Sequence, residues 1–505
     1  MKTKPMAHQA EALRLMNGRA YFGLFMEMGT GKTWTFLADA ERLFGAGKID
    51  AMVIVAPKGV HTNWITREIP AHLEVDHVAV AYRSGAGKRE RQRMEQLFKP
   101  RDIGDPIKLR ILAINIDALG YKSGMDFAMR FINSAAHVLT VVDESDTIKN
   151  SKAGRTKAVM RLGHHSAYRR IGTGTPSPNS PVDLFSQMQF LREGLLGTNS
   201  HSAFVAEYAH LLPETHRLVQ HIKERSKARF TPQVVATDKN GAPMWRNLDK
   251  LKALLQPHTF RVLKKDCLDL PPKVYKNVVF ELSDEQRAEY DRMENELRID
   301  VGSETAAFTG STLMKLQQIT SGFVMLEGVP RILNSRANPR LDALRELLPL
   351  IDAQFIVWAR FNEELRTIAA MLSEQGVSFV EYRGETSDKD RELAVDSFQA
   401  GQVTAFVGQP QSGGVGIPLF AATTVIYYSN DFNLRTRLQS EDRAHRKGTK
   451  SSVLYIDLVA DNTVDVSIAK ALQRKQSVSR QIHDDRGIAF GVDEGDNSAL
   501  EKGLF

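Results

Sequence analysis

The segment Glu27-Met28-Gly29-Thr30-Gly31-Lys32-Thr33 constrains this chain more than any other. It follows an apolar run at 20–25 that reads as a strand and precedes a stretch at 34–44 with helical periodicity. Strand, glycine-rich turn and helix in that order are the context a phosphate loop requires. Gly29 and Gly31 let the backbone curl so that the N–H groups of Met28 to Thr33 face a polyphosphate, and the helix N-terminus adds positive potential. In such a loop Lys32 reaches the β- and γ-phosphates and the Thr33 hydroxyl takes Mg²⁺. The strict pattern asks for glycine where Met26 stands.

Val141-Val142-Asp143-Glu144 supplies a second part, a β-branched run ending in two carboxylates. Asp143 at a strand end holds Mg²⁺ through its water shell, and Glu144 orients and deprotonates an attacking water. Further on, Gln439, Arg443 and Arg446 are spaced i, i+4, i+7 and would share one helix face, from which arginine forks bind phosphate oxygens. The competing reading of that face is a solvated charged surface. Three glycines at 413, 414 and 416 after a strand permit close backbone approach to phosphate or nucleotide; the plain alternative is a flexible loop.

Strand–helix alternation surrounds these motifs. Candidate strands at 20–25, 51–55, 110–114, 138–142 and 168–171 predict one parallel sheet covered by helices. A second set at 355–358, 377–381, 403–407, 424–428 and 453–458 predicts another. The intervening stretch is mostly helical in pattern and dense in cations. The expected organisation is α/β: a first parallel-sheet domain carrying the phosphate loop at 1–195, helical insertions and linker at 196–340, a second parallel-sheet domain at 341–476, and a polar tail, loosely ordered at its end, at 477–505. Cations such as Lys223, Arg225 and Arg229 either embrace a duplex or form a solvated basic surface.

Cys267 is the lone thiol, which excludes an intrachain disulfide and a cysteine-built zinc cluster. No apolar run approaches the ~18–20 residues that span a bilayer, so no membrane association is expected. A cytoplasmic setting fits both observations. The net charge of +7 suits a nucleic-acid partner without requiring one.

The ordered set of motifs resembles the superfamily-two helicase-like ATPases, and among them DNA translocases of the Swi/Snf type. His8-Gln9 resembles the glutamine motif, which implies that Gln9 reads adenine; 27–33 resembles motif I in the Glu-Met-Gly form that needs no glycine at 26. Ala56-Pro57-Lys58 with Asn63-Trp64 resembles motif Ia, Asp143-Glu144-Ser145-Asp146 motif II, and 172–176 motif III. Phe260 to Asp266, then Leu270-Pro271-Pro272-Lys273, resembles a block peculiar to the Swi/Snf type. Phe355 to Arg360 corresponds to motif IV, 411–416 to motif V and 439–448 to motif VI.

The resemblance implies ATP and Mg²⁺ as cofactors, with Lys32, Asp143, Glu144, Arg443 and Arg446 acting on the phosphates and Gln9, Gly414 and Gln439 helping to hold the nucleotide. It implies nucleic-acid contacts from Lys58, Asn63, Thr173, Thr175, Arg360, Ser412 and Gly413. Double-stranded DNA is the preferred partner, with single-stranded DNA and RNA left open. Departures are Asp146 where the family usually has His, 408–411 where Ser-Thr-Arg is common, and Thr449 where motif VI usually has Gln. They look like those of compact bacterial or phage-borne members. Alternatives are a strand-separating, branch-migrating or annealing helicase, and an ATP-gated DNA clamp that does not step. Trp64 and Trp358 either stack on bases or are buried, burial being the better reading.

Overall fold

A computed structural model describes residues 1–99, 106–226, 231–238, 241–301, 310–333, 338–411 and 417–483. The described residues form two compact units, one of residues 1–269 with 475–483, the other of residues 270–474.

The first unit is built on seven strands: β1 (Tyr21–Met26), β2 (Ala51–Ala56), β3 (His77–Ala81), β4 (Leu109–Asn115), β5 (Val138–Asp143), β6 (Tyr168–Gly172) and β7 (Thr259–Val262). Their spatial order is β3-β4-β2-β5-β6-β1-β7, and every pair is parallel. Parallel neighbours need long crossovers, which helices supply and which cover the sheet on both faces. Accordingly β2 and β5 are buried at every residue. Helix α1 (Ala7–Met16) precedes the sheet, and α2 (Lys32–Gly45) follows β1 directly.

Register fixes where the motifs meet. Leu24 of β1 and Asp143 of β5 both pair with Gly172 of β6, and Met26 pairs with Val262 of β7. The C-terminal ends of these strands therefore lie side by side, and the loops that leave them share one rim. That rim is where open parallel sheets bind ligands.

The second unit carries β8 (Lys273–Phe280), a hairpin of β9 (Phe323–Leu326) and β10 (Val329–Ile332), then β11 (Phe355–Trp358), β12 (Phe379–Tyr382), β13 (Ala405–Gly408), β14 (Thr424–Tyr427) and β15 (Val453–Ala460). Six of these form a parallel sheet in the order β12-β13-β11-β14-β15-β8. Alternation along β11 sends Phe355 and Val357 into one core and Ile356 and Trp358 into the other. Helix α3 (Leu434–Ala444) follows β14, and α4 (Val464–His483) follows β15.

All ten expected strands are present, within a few residues at their ends. Five strands among the described residues lie outside the sequence expectation: β3, β7 and β8, each at the edge of a large sheet, and the β9–β10 hairpin. The stretch at 196–340 holds β7 and β8, which complete the two sheets, and the units divide at Asp269 within it. Of the stretch at 477–505 expected as a polar tail, residues 477–483 are helical. Helix α4 runs on to His483 because Val478 and Ile482, four residues apart, pack on the core of the first unit. Residues 484–505 lie outside the described residues. Trp64 and Trp358 are buried, at 1% and 0% exposure, as their composition suggested.

Candidate functional site

The phosphate loop forms an open curl through two glycines. Gly29 and Gly31 have φ of 80° and 88°, a region that L side chains avoid. Helix α2 begins at Lys32 with Gly31 as its N-cap, so unpaired N–H groups and the positive helix end lie at the loop. Gln9 of α1 leans over it. Its Nε2 donates to the carbonyls of Thr30 and Gly31 at 3.4 and 3.5 Å, and its Oε1 accepts from Met6 N at 2.8 Å. His8 Nε2 meets the Thr30 carbonyl at 2.7 Å. A Cβ on Gly31 would come within 2.0 Å of Gln9 Nε2, so the close approach requires glycine there. Lys32 is buried, and its ammonium donates to Met26 O at 2.8 Å.

The loop is buttressed by the block at 260–266. Glu27 N donates to Val262 O at 3.0 Å, and Glu27 Oε2 accepts from Lys264 N at 2.8 Å. Arg261 Nη1 donates to Phe25 O and to Gly174 O, both at 3.1 Å, and so ties β1 to the turn after β6. The sequence identified this block only by resemblance; its place as the strand beside the phosphate loop rests on pairing across more than 230 residues.

Asp143 ends β5, buried. Its Oδ2 accepts from Trp64 Nε1 at 3.0 Å and its Oδ1 from Glu144 N at 3.0 Å. Burial, and then the charge of Glu144, push its carboxyl up to about 6, while Lys32 and the two hydrogen bonds pull it down. Glu144 sits in the left-handed region at φ 53°, a conformation that costs a non-glycine residue about 1–2 kcal/mol and concentrates at functional sites. Thr147 pins it by donating N–H and Oγ1 to its carbonyl.

Asp146 and Thr173 are both buried, and Thr173 Oγ1 donates to Asp146 Oδ1 at 3.3 Å. Thr175 N donates to Thr173 Oγ1 at 3.1 Å. The turn after β5 is thus linked to the turn after β6 through Asp146. Thr173 has no exposed surface to offer nucleic acid directly, whereas Thr175 is half-buried. Lys58 is exposed and Asn63 half-buried, both in the segment after β2.

Mg²⁺ fits the donors present. Among the described residues no group of three or more His, Cys, Asp or Glu gathers as a protein-built cage. A Mg²⁺ ion held by one or two protein oxygens, with water and phosphate oxygens, needs no such cage. The Thr33 hydroxyl and the Asp143 carboxylate are hard oxygen donors.

In the second unit, Arg443 lies on α3, buried. Its Nη2 donates to Pro410 O at 2.9 Å, its guanidinium lies over the Trp358 ring, 5.0 Å from the centroid, and burial pulls it down to about 10. Gln439 is on the same helix, its Nε2 buried with no hydrogen-bond partner among the described residues. The expected single face ends short, however. Helix α3 stops at Ala444, and Arg446 follows in a turn. Thr449 makes that turn: its Oγ1 accepts from Arg446 N and shares its one proton between Ala444 O and Arg446 O. Arg360 follows β11, with its N–H donating to Glu364 Oε2 and Ser429 Oγ and its guanidinium to Gln317. Ser412, Gly413 and Gly414 lie outside the described residues, as does Arg229. Lys223 and Arg225 belong to the helix Arg217–Ser226.

A phosphate loop on one parallel sheet, followed in the same chain by a second parallel sheet, defines the helicase-like class with two RecA-like domains. The chain belongs to the SNF2-related family: residues 8–333 match the SNF2-related domain, and residues 339–448 match the helicase conserved C-terminal domain. It is similar to the Caenorhabditis elegans homologue of the SWI/SNF-related regulator of chromatin, subfamily A containing DEAD/H box 1, at 23% identity over 93% of this chain and 50% of that protein. It is also similar to the Bacillus subtilis putative ATP-dependent helicase/translocase YwqA, at 25% identity over 90% and 46%. The chain spans half or less of the length of these two relatives. Among solved structures, the Sulfolobus solfataricus SWI2/SNF2 ATPase core in complex with double-stranded DNA matches at 23% identity, covering 96% of this chain and 93% of that one, with a TM-score of 0.40. No helix among the described residues is long and apolar enough to cross a membrane.

Proposed function

We propose that this protein is an ATP-driven motor that moves along DNA, duplex DNA in particular, in a cytoplasmic setting. The observation that carries the reading is the rim of the first sheet, where the curled loop at 27–33 and the buried Asp143–Glu144 pair leave β1 and β5, the two parallel strands that flank β6. Family membership and the helicase/translocase name of the Bacillus relative support it.

ATP binds with its phosphates in the curl of Gly29 to Thr33 and its adenine near Gln9. Lys32 exchanges the Met26 carbonyl for phosphate oxygens. Thr33 and Asp143 would hold Mg²⁺, which when bound would offset negative charge on the phosphates. Glu144 accepts a proton from the attacking water as its oxygen bonds to the γ-phosphorus and the bond to the β,γ-bridging oxygen breaks. Arg443 and Arg446 supply positive charge to the transferring group. The Asp146–Thr173 bond joins the hydrolytic turn to the segment carrying Thr175. Lys58, Asn63, Thr175, Arg360, Ser412 and Gly413 grip the nucleic-acid backbone, which carries no base code, so binding falls steeply with salt.

The test is steady-state ATP hydrolysis with no nucleic acid, duplex DNA, single-stranded DNA and single-stranded RNA, with Lys32→Ala alongside. Stimulation by duplex DNA, lost in Lys32→Ala, is the expected result. Stimulation by single strands alone points to the strand-separating alternative. ATP binding without turnover under any condition sinks the motor and leaves the clamp.

A further inference from the structure

The segment after β2 does not continue as a regular helix. Helix Val60–Asn63 opens into a π-helical turn, Trp64–Glu68, closed by Ile69 N donating to Trp64 O. Such widened turns are rare and recur at functional sites. Here the turn delivers Trp64, 1% exposed, to a residue 79 positions away: its Nε1 donates to Asp143 Oδ2 at 3.0 Å. Burial alone does not explain the pairing. Trp358 is buried as deeply, and its Nε1 has no partner among the described residues. The other Asp143 oxygen is held by Glu144 N. The carboxylate is therefore fixed at both oxygens, each keeping a lone pair for a further ligand. An indole N–H can only donate, so it cannot compete for the cation.

Resting on the ATP-dependent reading above, we infer that Trp64 is a positioning residue for Asp143, holding its carboxylate in the orientation that receives the divalent cation accompanying ATP. Hydrogen bonds to a ligating carboxylate orient it, and their loss typically weakens metal affinity by about 10–100-fold.

Trp64→Phe keeps an aromatic ring and removes the donor. Mg²⁺ is titrated into ADP-bound protein, with Mn²⁺ binding followed by electron paramagnetic resonance as a readout independent of turnover. Half-saturation is expected to rise about 10-fold, with metal-free ADP affinity and thermal midpoint near wild type. Trp34→Phe is the control: that indole also donates to a side chain, Thr3 Oγ1 at 2.8 Å, and its loss should leave the metal titration unmoved.

If Trp64→Phe fails to fold, the wild type still decides. The indole ¹⁵N–H signal that persists in Trp34→Phe, Trp245→Phe and Trp358→Phe belongs to Trp64, and it should shift when Mg²⁺ is added to ADP-bound protein. An unchanged metal titration in folded Trp64→Phe, or an unmoved Trp64 signal, overturns the inference and leaves the ATPase reading intact. Wild type without metal-dependent nucleotide binding overturns both.

Discussion

Gly31→Ala separates two effects that the structure places at one atom. The backbone there has φ of 88°, which costs an L residue about 1–2 kcal/mol. The new methyl would also lie 2.0 Å from Gln9 Nε2, well inside contact distance. Gln9 must then leave the Thr30 and Gly31 carbonyls, or the loop must shift, at the ~1–3 kcal/mol typical of overpacking. Together these give about 2–5 kcal/mol against the open loop, or a loss of nucleotide affinity of roughly 30-fold or more. Gln9→Ala in the same chain removes the obstacle but not the backbone strain. Titration of a fluorescent ADP analogue into wild type, both single variants and the double variant closes a double-mutant cycle. The double variant should bind more tightly than the two losses summed would allow, with a coupling of about 1–3 kcal/mol. Losses that simply add would show that Gln9 does not rest on Gly31.

Asp143, buried, and Thr449, half-buried, each carry a further outcome. Asp143 has its folded-state carboxyl pushed up to about 6 from the ordinary 3.8, so its ionisation opposes folding. The penalty is absent below pH 3.8, grows to pH 6 and is constant above, reaching about 3 kcal/mol at most. Asp143→Asn should therefore raise the melting temperature of the metal-free protein at pH 7.5 more than at pH 4.5, while hydrolysis is lost; an equal change at both pH values refutes it. Thr449→Val removes the hydroxyl that closes α3 and shapes the turn at Arg446. It should lower the stability of the second unit by about 1–2 kcal/mol in chemical denaturation and reduce turnover with ATP affinity retained; unaltered stability and turnover count against that role.

What could be read from the sequence divides along physical lines. The phosphate loop was legible residue by residue because its glycines, lysine and threonine act through their own backbone and immediate neighbours. Interior strands such as β2 were legible because burial on both faces demands an unbroken apolar run. The strands that escaped are edges. His77–Ala81 is a short run, apolar from Val78 but built of small residues and mostly half-buried, and Lys273–Phe280 carries Lys276 and Asn277 midway and is exposed or half-buried throughout. Thr259–Val262 is hidden among cations that read as a helical surface. Partnerships were the least legible. Asn63-Trp64 was recognised as a motif, but nothing local tells that the indole reaches Asp143. Asp146 stood out as a departure, and only the fold pairs it with Thr173. The end of α3 was missed because helical spacing continues through Arg446 while the backbone does not.

The last turns of α4 carry a consequence for how this protein can be taken apart. Ile482 lies in the core of the first unit with Val478 against it, His483 packs edge-on to Phe25 and meets Ser177, and Lys475 reaches Asn179. The first unit is thus assembled from two pieces of chain separated by some two hundred residues. A fragment ending at Asp269 carries all seven strands of its sheet yet leaves a strip of its own interior uncovered. That strip is a vacancy of defined shape, and a peptide spanning 475–483 supplied in trans is the natural means to fill it. The segment from Met1 to Asp269 is, in that sense, a protein awaiting complementation by the last turns of α4.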